Sequence, residues 1–369
     1  MFGILLPVKK STAMIIEVTT EKQSELLDQS MLLHSNVTVV VAALTVMLLA
    51  ASPFVLHQQR SIAQEQQQQQ QQQPQANLTS VEQRQLMEGI SFEIDNVTFS
   101  HHTASVNGIQ MHYVIGGQGN PVVLLHGWPQ TWYEWRHIMP VLAKNYTVIT
   151  PDLRGLGDSS KPFTGYDGNT TAEDIYKLLS QLGLNQKIYL VGHDIGVLTA
   201  YSYAASHPNN VSKLVILDVP PLPPPGFEDC CWWVRFHQTP DIPEALTAGK
   251  EREYLSWFYR FAYNPEAITE NDIDKYVASY SAPGGMRAGF EYYRAFPITL
   301  EQNKEHANVK LPMPVLALGG EYSFGTVALT SMKSLATDVR GGIVPLSGHW
   351  IPEEQPDFLV KQLAEFFSE

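Results

Sequence analysis

An aspartate in a five-residue turn, Gly192-His193-Asp194-Ile195-Gly196, is the feature of this sequence best suited to chemistry. An apolar run from Lys187 to Val191 precedes the turn, and a helix-like stretch from Val197 to Ala205 follows it. Glycines at both ends let a strand and a helix approach closely while the central side chain is held in a strained turn. A carboxylate, with a reference pKa of about 3.9, is ionised at neutral pH and needs no base to become a nucleophile. It attacks amides poorly. It can displace at sp³ carbon when ring strain or a good leaving group helps, as in epoxides and alkyl halides. Gly-x-Asp-x-Gly is also an ordinary loop composition, so the weight of this reading depends on its surroundings.

Those surroundings are regular from about Ile90 onward. Thr98 to Val106 and Ile109 to Ile115 predict a hairpin around Asn107-Gly108. Short apolar runs follow at Val122 to Leu125, Thr147 to Thr150, Ile188 to Val191, Leu214 to Leu217 and Val315 to Leu318, with helical stretches between them. Fully apolar strands alternating with helices predict an α/β fold, a mostly parallel central sheet with helices on both faces. Thr170-x-x-Glu173 predicts a capping box for a helix beginning near Thr171. The rhythm breaks between Pro220 and Ala307, where a proline-rich opening leads into aromatic-rich helical segments. The expected organisation is a core in two parts, 90–219 and 307–369, with an inserted helical cap at 220–306. A cap over the carboxyl ends of the strands would enclose an apolar pocket there.

Further motifs sit just after the strands. His126-Gly127-Trp128-Pro129 follows one, Pro151-Asp152-Leu153-Arg154-Gly155 another, and Asp218 follows Leu214 to Leu217. Gly348-His349-Trp350 lies near the C-terminus. With these motifs, and with Phe290-Glu291-Tyr292-Tyr293-Arg294, the chain from about residue 98 to 369 resembles the α/β-hydrolase superfamily, in its epoxide hydrolase and haloalkane dehalogenase branch.

The resemblance implies a role for each matching residue. Asp194 would be the nucleophile that forms an ester with the substrate carbon, and His349 the base that activates water to cleave it. Asp218 would orient His349, with Glu321 as the fallback acid one strand later. The N–H groups of Trp128 and Ile195 would form the oxyanion hole, and the peptide before Pro129 would be cis. Tyr293 matches the tyrosine that protonates the opened epoxide. Adjacent helical residues point about 100° apart, so Tyr292 would face elsewhere. The partner donor is unassigned: Trp232 or Trp233 occupies its place, and His237 is nearby. These substrate-pocket tryptophans, with Trp128, could instead cradle a departing halide, as in a haloalkane dehalogenase. Ile195 and Leu198 stand where haloacetate enzymes carry arginines, which disfavours a carboxylate substrate. A non-catalytic ligand-binding scaffold is a third reading, although nucleophile, acid and histidine are all retained. No metal or organic cofactor is implied. The expected partner is a small hydrophobic epoxide or alkyl halide.

The N-terminal part reads differently. Val37 to Leu56 is almost wholly apolar, and at about 1.5 Å per residue it would just cross a hydrocarbon core of roughly 30 Å. A run of glutamines, Gln66 to Gln73, follows. Residues 1–85 therefore predict a signal or anchor segment with a disordered tether, placing the protein outside the cytoplasm, secreted or membrane-anchored. The formal charge of −13 offers no basic block for a nucleic-acid partner. Cys230 and Cys231 are the only cysteines and are adjacent, a spacing that favours thiols over a relaxed disulfide. Monomer and homodimer both remain open.

Overall fold

The computed structural model describes residues 88–184, 187–224, 226 and 231–369. The expected signal or anchor segment, Val37 to Leu56 included, lies outside these residues, as does Cys230. Among the described residues no helix is long and apolar enough to cross a membrane.

One sheet contains β1 (Ser91–Ile94), β2 (Val97–Val106), β3 (Ile109–Gly116), β4 (Asn120–Leu125), β5 (Tyr146–Pro151), β6 (Ile188–His193), β7 (Val211–Leu217), β8 (Val315–Gly320) and β9 (Val339–Val344). Their spatial order is β1-β2-β3-β5-β4-β6-β7-β8-β9. Strands β4 to β9 are parallel, and β1, β2 and β3 attach through antiparallel pairs. The β2–β3 turn forms at Asn107 and Gly108 with φ of 43° and 79°, the left-handed pair that a two-residue hairpin needs. Strand β1 was not anticipated. It is short and alternates exposed with half-buried residues, so it lacks the apolar run that marks the inner strands.

Helices α1 (Gly168–Gln181) and α2 (Ile195–Ser206) follow β5 and β6. Between β7 and β8 lie α3 (Trp232–Gln238), α4 (Ile242–Thr247), α5 (Glu251–Phe258), α6 (Glu270–Ser281) and α7 (Gly285–His306). Helices α8 (Val327–Leu335) and α9 (Pro356–Ser368) belong to the C-terminal part. Helix α1 begins earlier than the Thr170 capping box predicted. Asp167 is its N-cap, and the Asp167 carboxylate accepts from Thr170 N. An aspartate is as good a cap as threonine, and it stands one turn earlier.

Successive residues of a strand point to opposite faces, which divides the core in two. From β4, Val122 and Leu124 pack with Trp135, Leu363 and Phe366. Val123 and Leu125 pack with Ile175, Leu178, Val197 and Tyr201 of α1 and α2. With both faces covered, chemistry is confined to the strand ends.

Candidate active site

Register brings the functional loops together. Leu125 pairs with Gly192, His193 with Leu217, and Leu217 with Leu318. The residues that follow, His126-Gly127-Trp128, Asp194, Asp218 and Gly320 onward, therefore emerge side by side at one edge. β4 has β5 on one side and β6 on the other, so the connections diverge there, the place where open α/β sheets bind ligands.

Asp194 sits between β6 and α2 with φ 51° and ψ −125°, a backbone conformation strained for a residue with a Cβ. The neighbouring chains demand glycine. A Cβ on Gly196 would lie 2.4 Å from Leu125 O, and one on Gly127 would lie 2.4 Å from the Asp194 Cβ. The Gly127-Trp128 backbone consequently lies across the nucleophile. Trp128 N donates to Asp194 Oδ1 at 2.8 Å, and the Ile195 N–H also bonds the carboxylate. The Trp128-Pro129 peptide is cis. Burial would raise the Asp194 pKa. Hydrogen bonding to His349, the nearby rings and the Ile195 N–H outweigh it and hold the carboxyl below the ordinary range.

His349 Nε2 lies 3.4 Å from Asp194 Oδ2, and Nδ1 lies 2.6 Å from Asp218 Oδ2. Asp218 is wholly buried. Gly320 N and Ser323 Oγ donate to it at 3.0 and 2.7 Å, which fixes its orientation toward the ring. Burial works against a charged imidazole, but the bonds to Asp194 and Asp218 prevail and raise the His349 pKa to about 10. Glu321, the alternative acid, is exposed and accepts from Leu346 N at 2.9 Å. It makes no contact with His349, because its side chain leaves the strand end on the solvent side.

A cavity of about 680 Å³ opens above this set and is lined by Asp194, His349, Trp128, Ile195, Trp233 and Tyr293, among others. Tyr293 projects from α7, its ring edge-on to Trp128 with centroids 5.5 Å apart. Burial first, and then the Asp194 charge, push its phenol well above the ordinary range, so it stays protonated. Tyr292 also borders the cavity, which the angular spacing did not predict, but its hydroxyl points elsewhere and donates to Arg154 O at 2.8 Å. Two residues assigned to the pocket require correction. Trp232 is 53% exposed and is not among the lining residues. It and Trp233 are consecutive on α3, so only one can turn inward. His237, one turn beyond Trp233, is buried behind the wall instead. Its ring packs against Tyr293 at 4.3 Å and Trp128 at 4.8 Å, and its Nε2 shares a hydrogen bond with the Tyr254 hydroxyl at 2.5 Å. Burial and the nearby Arg294 lower its pKa to about 3, leaving the ring neutral.

Residues 120–356 match the alpha/beta hydrolase fold family. The chain belongs to that family. It is similar to the soluble epoxide hydrolase of Corynebacterium sp. (strain C12), with 40% identity over 280 residues, 73% of this chain and 97% of the relative. Among solved structures, the epoxide hydrolase CorEH superposes with a TM-score of 0.70 at 40% identity, covering 73% of this chain and 99% of that one. Cfl2 from Burkholderia cenocepacia gives 0.70 at 39% identity, covering 75% and 99%. Within this α/β-hydrolase the nine-stranded sheet and its flanking helices are the fold that the strand pattern predicted.

Several residues at the site escaped the sequence reading. Tyr322, Ser323 and Phe324 follow β8 and line the cavity, and Tyr322 stacks on Tyr263 at 4.2 Å. Glu354 accepts from Gly348 N, Trp350 N, Tyr263 N and Asn264 N, bracing both sides of His349. Two glutamates in Ile351-Pro352-Glu353-Glu354 were a visible signal, since acids inside an apolar segment must find donors. One described cluster, His112, Asp152 and Asp158, has metal-ligand chemistry, but none of the three lines the cavity. Asp152 is already occupied by His112 Nδ1 and by the N–H groups of Trp132 and Asp158.

Proposed function

We propose that this α/β-hydrolase opens a neutral, hydrophobic epoxide to a vicinal diol through an ester on Asp194. Asp194 Oδ2, the oxygen facing His349, attacks a ring carbon, and the carbon–oxygen bond of the ring breaks. The alkoxide takes the Tyr293 hydroxyl proton. Asp194 Oδ1 becomes the ester carbonyl, already held by Trp128 N. With the Asp194 charge gone, His349 loses one of the two acids that raised its pKa, so its proton can pass on, restoring Tyr293. Neutral His349 then takes a proton from water as the water oxygen adds to the ester carbon. The Trp128 and Ile195 N–H groups hold the resulting oxyanion. The carbon–oxygen ester bond to the diol breaks, the departing oxygen takes the proton from His349, and the Asp194 carboxyl then gives its proton to the ring, restoring the starting state.

The observation that carries this reading is the pairing of Asp194 with a buried, protonated Tyr293 across one cavity. A halide needs N–H donors rather than a proton. Trp232 points away from the cavity and the Trp128 Nε1 is buried against Gly289, which leaves only Trp233 of the three candidate tryptophans to serve a halide from the lining. Those features favour epoxide over haloalkane. Helices α3, α5 and α7 contribute Trp233, Phe258, Tyr293 and Phe296 to the lining, consistent with a cap that excludes water during the first step. The apolar segment Val37 to Leu56 supports export or anchoring, tested by fractionation of cells expressing the full chain.

Intact mass of His349→Gln incubated with styrene oxide or 1-bromobutane tests the reading. A gain equal to the whole epoxide, mapped to Asp194, is the expected result. A gain of butyl alone would transfer the assignment to dehalogenation. No adduct with a wider panel of either class would favour a ligand-binding scaffold.

A further inference from the structure

Two buried polar residues, Glu134 and His193, have no part in the chemistry above, yet both are fully buried beneath the site. His193 immediately precedes the nucleophile. Its Nε2 lies 2.9 Å from the backbone carbonyl of His349, and its Nδ1 lies 3.4 Å from Glu134 Oε2. The same glutamate oxygen accepts from Gly127 N, in the oxyanion loop, at 3.3 Å. One carboxylate oxygen and one ring thus bridge the oxyanion loop, the nucleophile turn and the loop of the general base.

The protons in this bridge are constrained. A carbonyl oxygen only accepts, so His193 Nε2 carries hydrogen. Nδ1 faces a carboxylate, so a single proton is held between ring and acid, whichever of the two bears it. In both forms Nε2–H still points at His349 O. A neutral ring with hydrogen on Nδ1 alone would lose that bond. Glu134 therefore selects the form of His193 that grips the base.

We infer that Glu134 and His193 are a positioning pair that sets His349 and the oxyanion N–H groups relative to the Asp194 ester. The inference rests on the covalent reading above. Both of the loops it joins act when the ester is hydrolysed, whereas alkylation needs only Asp194 and the proton donor. Its loss should therefore slow the second step selectively. A displacement of about 1 Å at a reacting group costs on the order of 100-fold, which bounds the effect.

Single-turnover kinetics with styrene oxide on the full chain separate the two steps, following ester on Asp194 by quenched mass measurement and diol by chromatography. His193→Leu should slow ester hydrolysis about 10- to 100-fold while leaving ester formation nearly unchanged. His193→Gln, which restores a donor toward His349 O, should recover most of that loss. If His193→Leu fails to fold, Glu134→Gln serves in its place, because one amide cannot both accept from Gly127 N and donate to Nδ1 at the same position. It should show the same selective slowing. Wild-type ester hydrolysis in these variants would overturn the pair. Equal slowing of both steps, tracking a lower melting temperature, would also overturn it by assigning a purely structural role. Absence of ester in wild type would instead remove the covalent reading and this inference with it.

Discussion

Replacing Asp218 with asparagine isolates the second half of the reaction. The His349 pKa stands at about 10 against an ordinary 6.5, a rise worth about 5 kcal/mol at about 1.36 kcal/mol per pH unit. Burial opposes that rise, so Asp194 and Asp218 together supply more than the net figure. Asparagine keeps the shape of Asp218 and can still accept from Gly320 N. Its amide, however, would face His349 Nδ1 with a donor. The ring would then hold its hydrogen on Nε2 and present no base to water. The equivalent exchange in a serine triad lowers turnover by about 10⁴, and a loss of about 10³ to 10⁴ in kcat is expected here. Ester formation does not need the base and should change little. Rapid quench with styrene oxide, with intact mass and diol read in parallel, should show one equivalent of ester formed at near wild-type rate and then persisting. Wild-type turnover would refute the role of Asp218. Equal loss of both steps with no ester would refute the division of labour between Asp194 and His349.

Other consequences concern individual groups. Tyr293→Phe should slow ester formation by about 10²-fold or more without accumulating ester, measured by the same quench, because it removes the proton donor. The His349 ring, with a folded pKa above its unfolded value, contributes stability that is complete below pH 6.5 and lost as pH rises through about 10. Urea unfolding of wild type and His349→Gln should accordingly converge across that window; a gap that widened with pH would contradict it. Glu354→Ala leaves the N–H groups of Gly348, Trp350, Tyr263 and Asn264 without their acceptor. It should cost at least about 3 kcal/mol of stability by denaturant titration.

The inner strands and the order of the site motifs could be read from sequence because buried parallel strands are apolar throughout and each functional loop follows one directly. Asp194 and His349 were visible for that reason, and Tyr293 through its resemblance to a known motif. The preference for Asp218 over Glu321 rested on the resemblance alone, since both follow strands and only the side-chain direction, which puts Asp218 on His349, separates them. The pocket face of α3 was misjudged for a similar reason. Trp232 and Trp233 are identical in type, and the rotation of the helix decides which lines the cavity. His237 shares a face with Trp233, but at the next turn it lies behind Trp128 and Tyr293. Glu134 and His193 were missed because their partners lie on other segments. Their spacing in sequence carries no trace of the contact.

The central claim is that an oxygen of Asp194, not of water, enters the product. A single turnover of excess wild-type enzyme with styrene oxide in ¹⁸O-water tests it directly. The account predicts a first-turnover diol free of ¹⁸O, with the label in the peptide containing Asp194. A labelled first-turnover diol and an unlabelled Asp194 peptide would contradict it, and would mean that water attacks the epoxide itself.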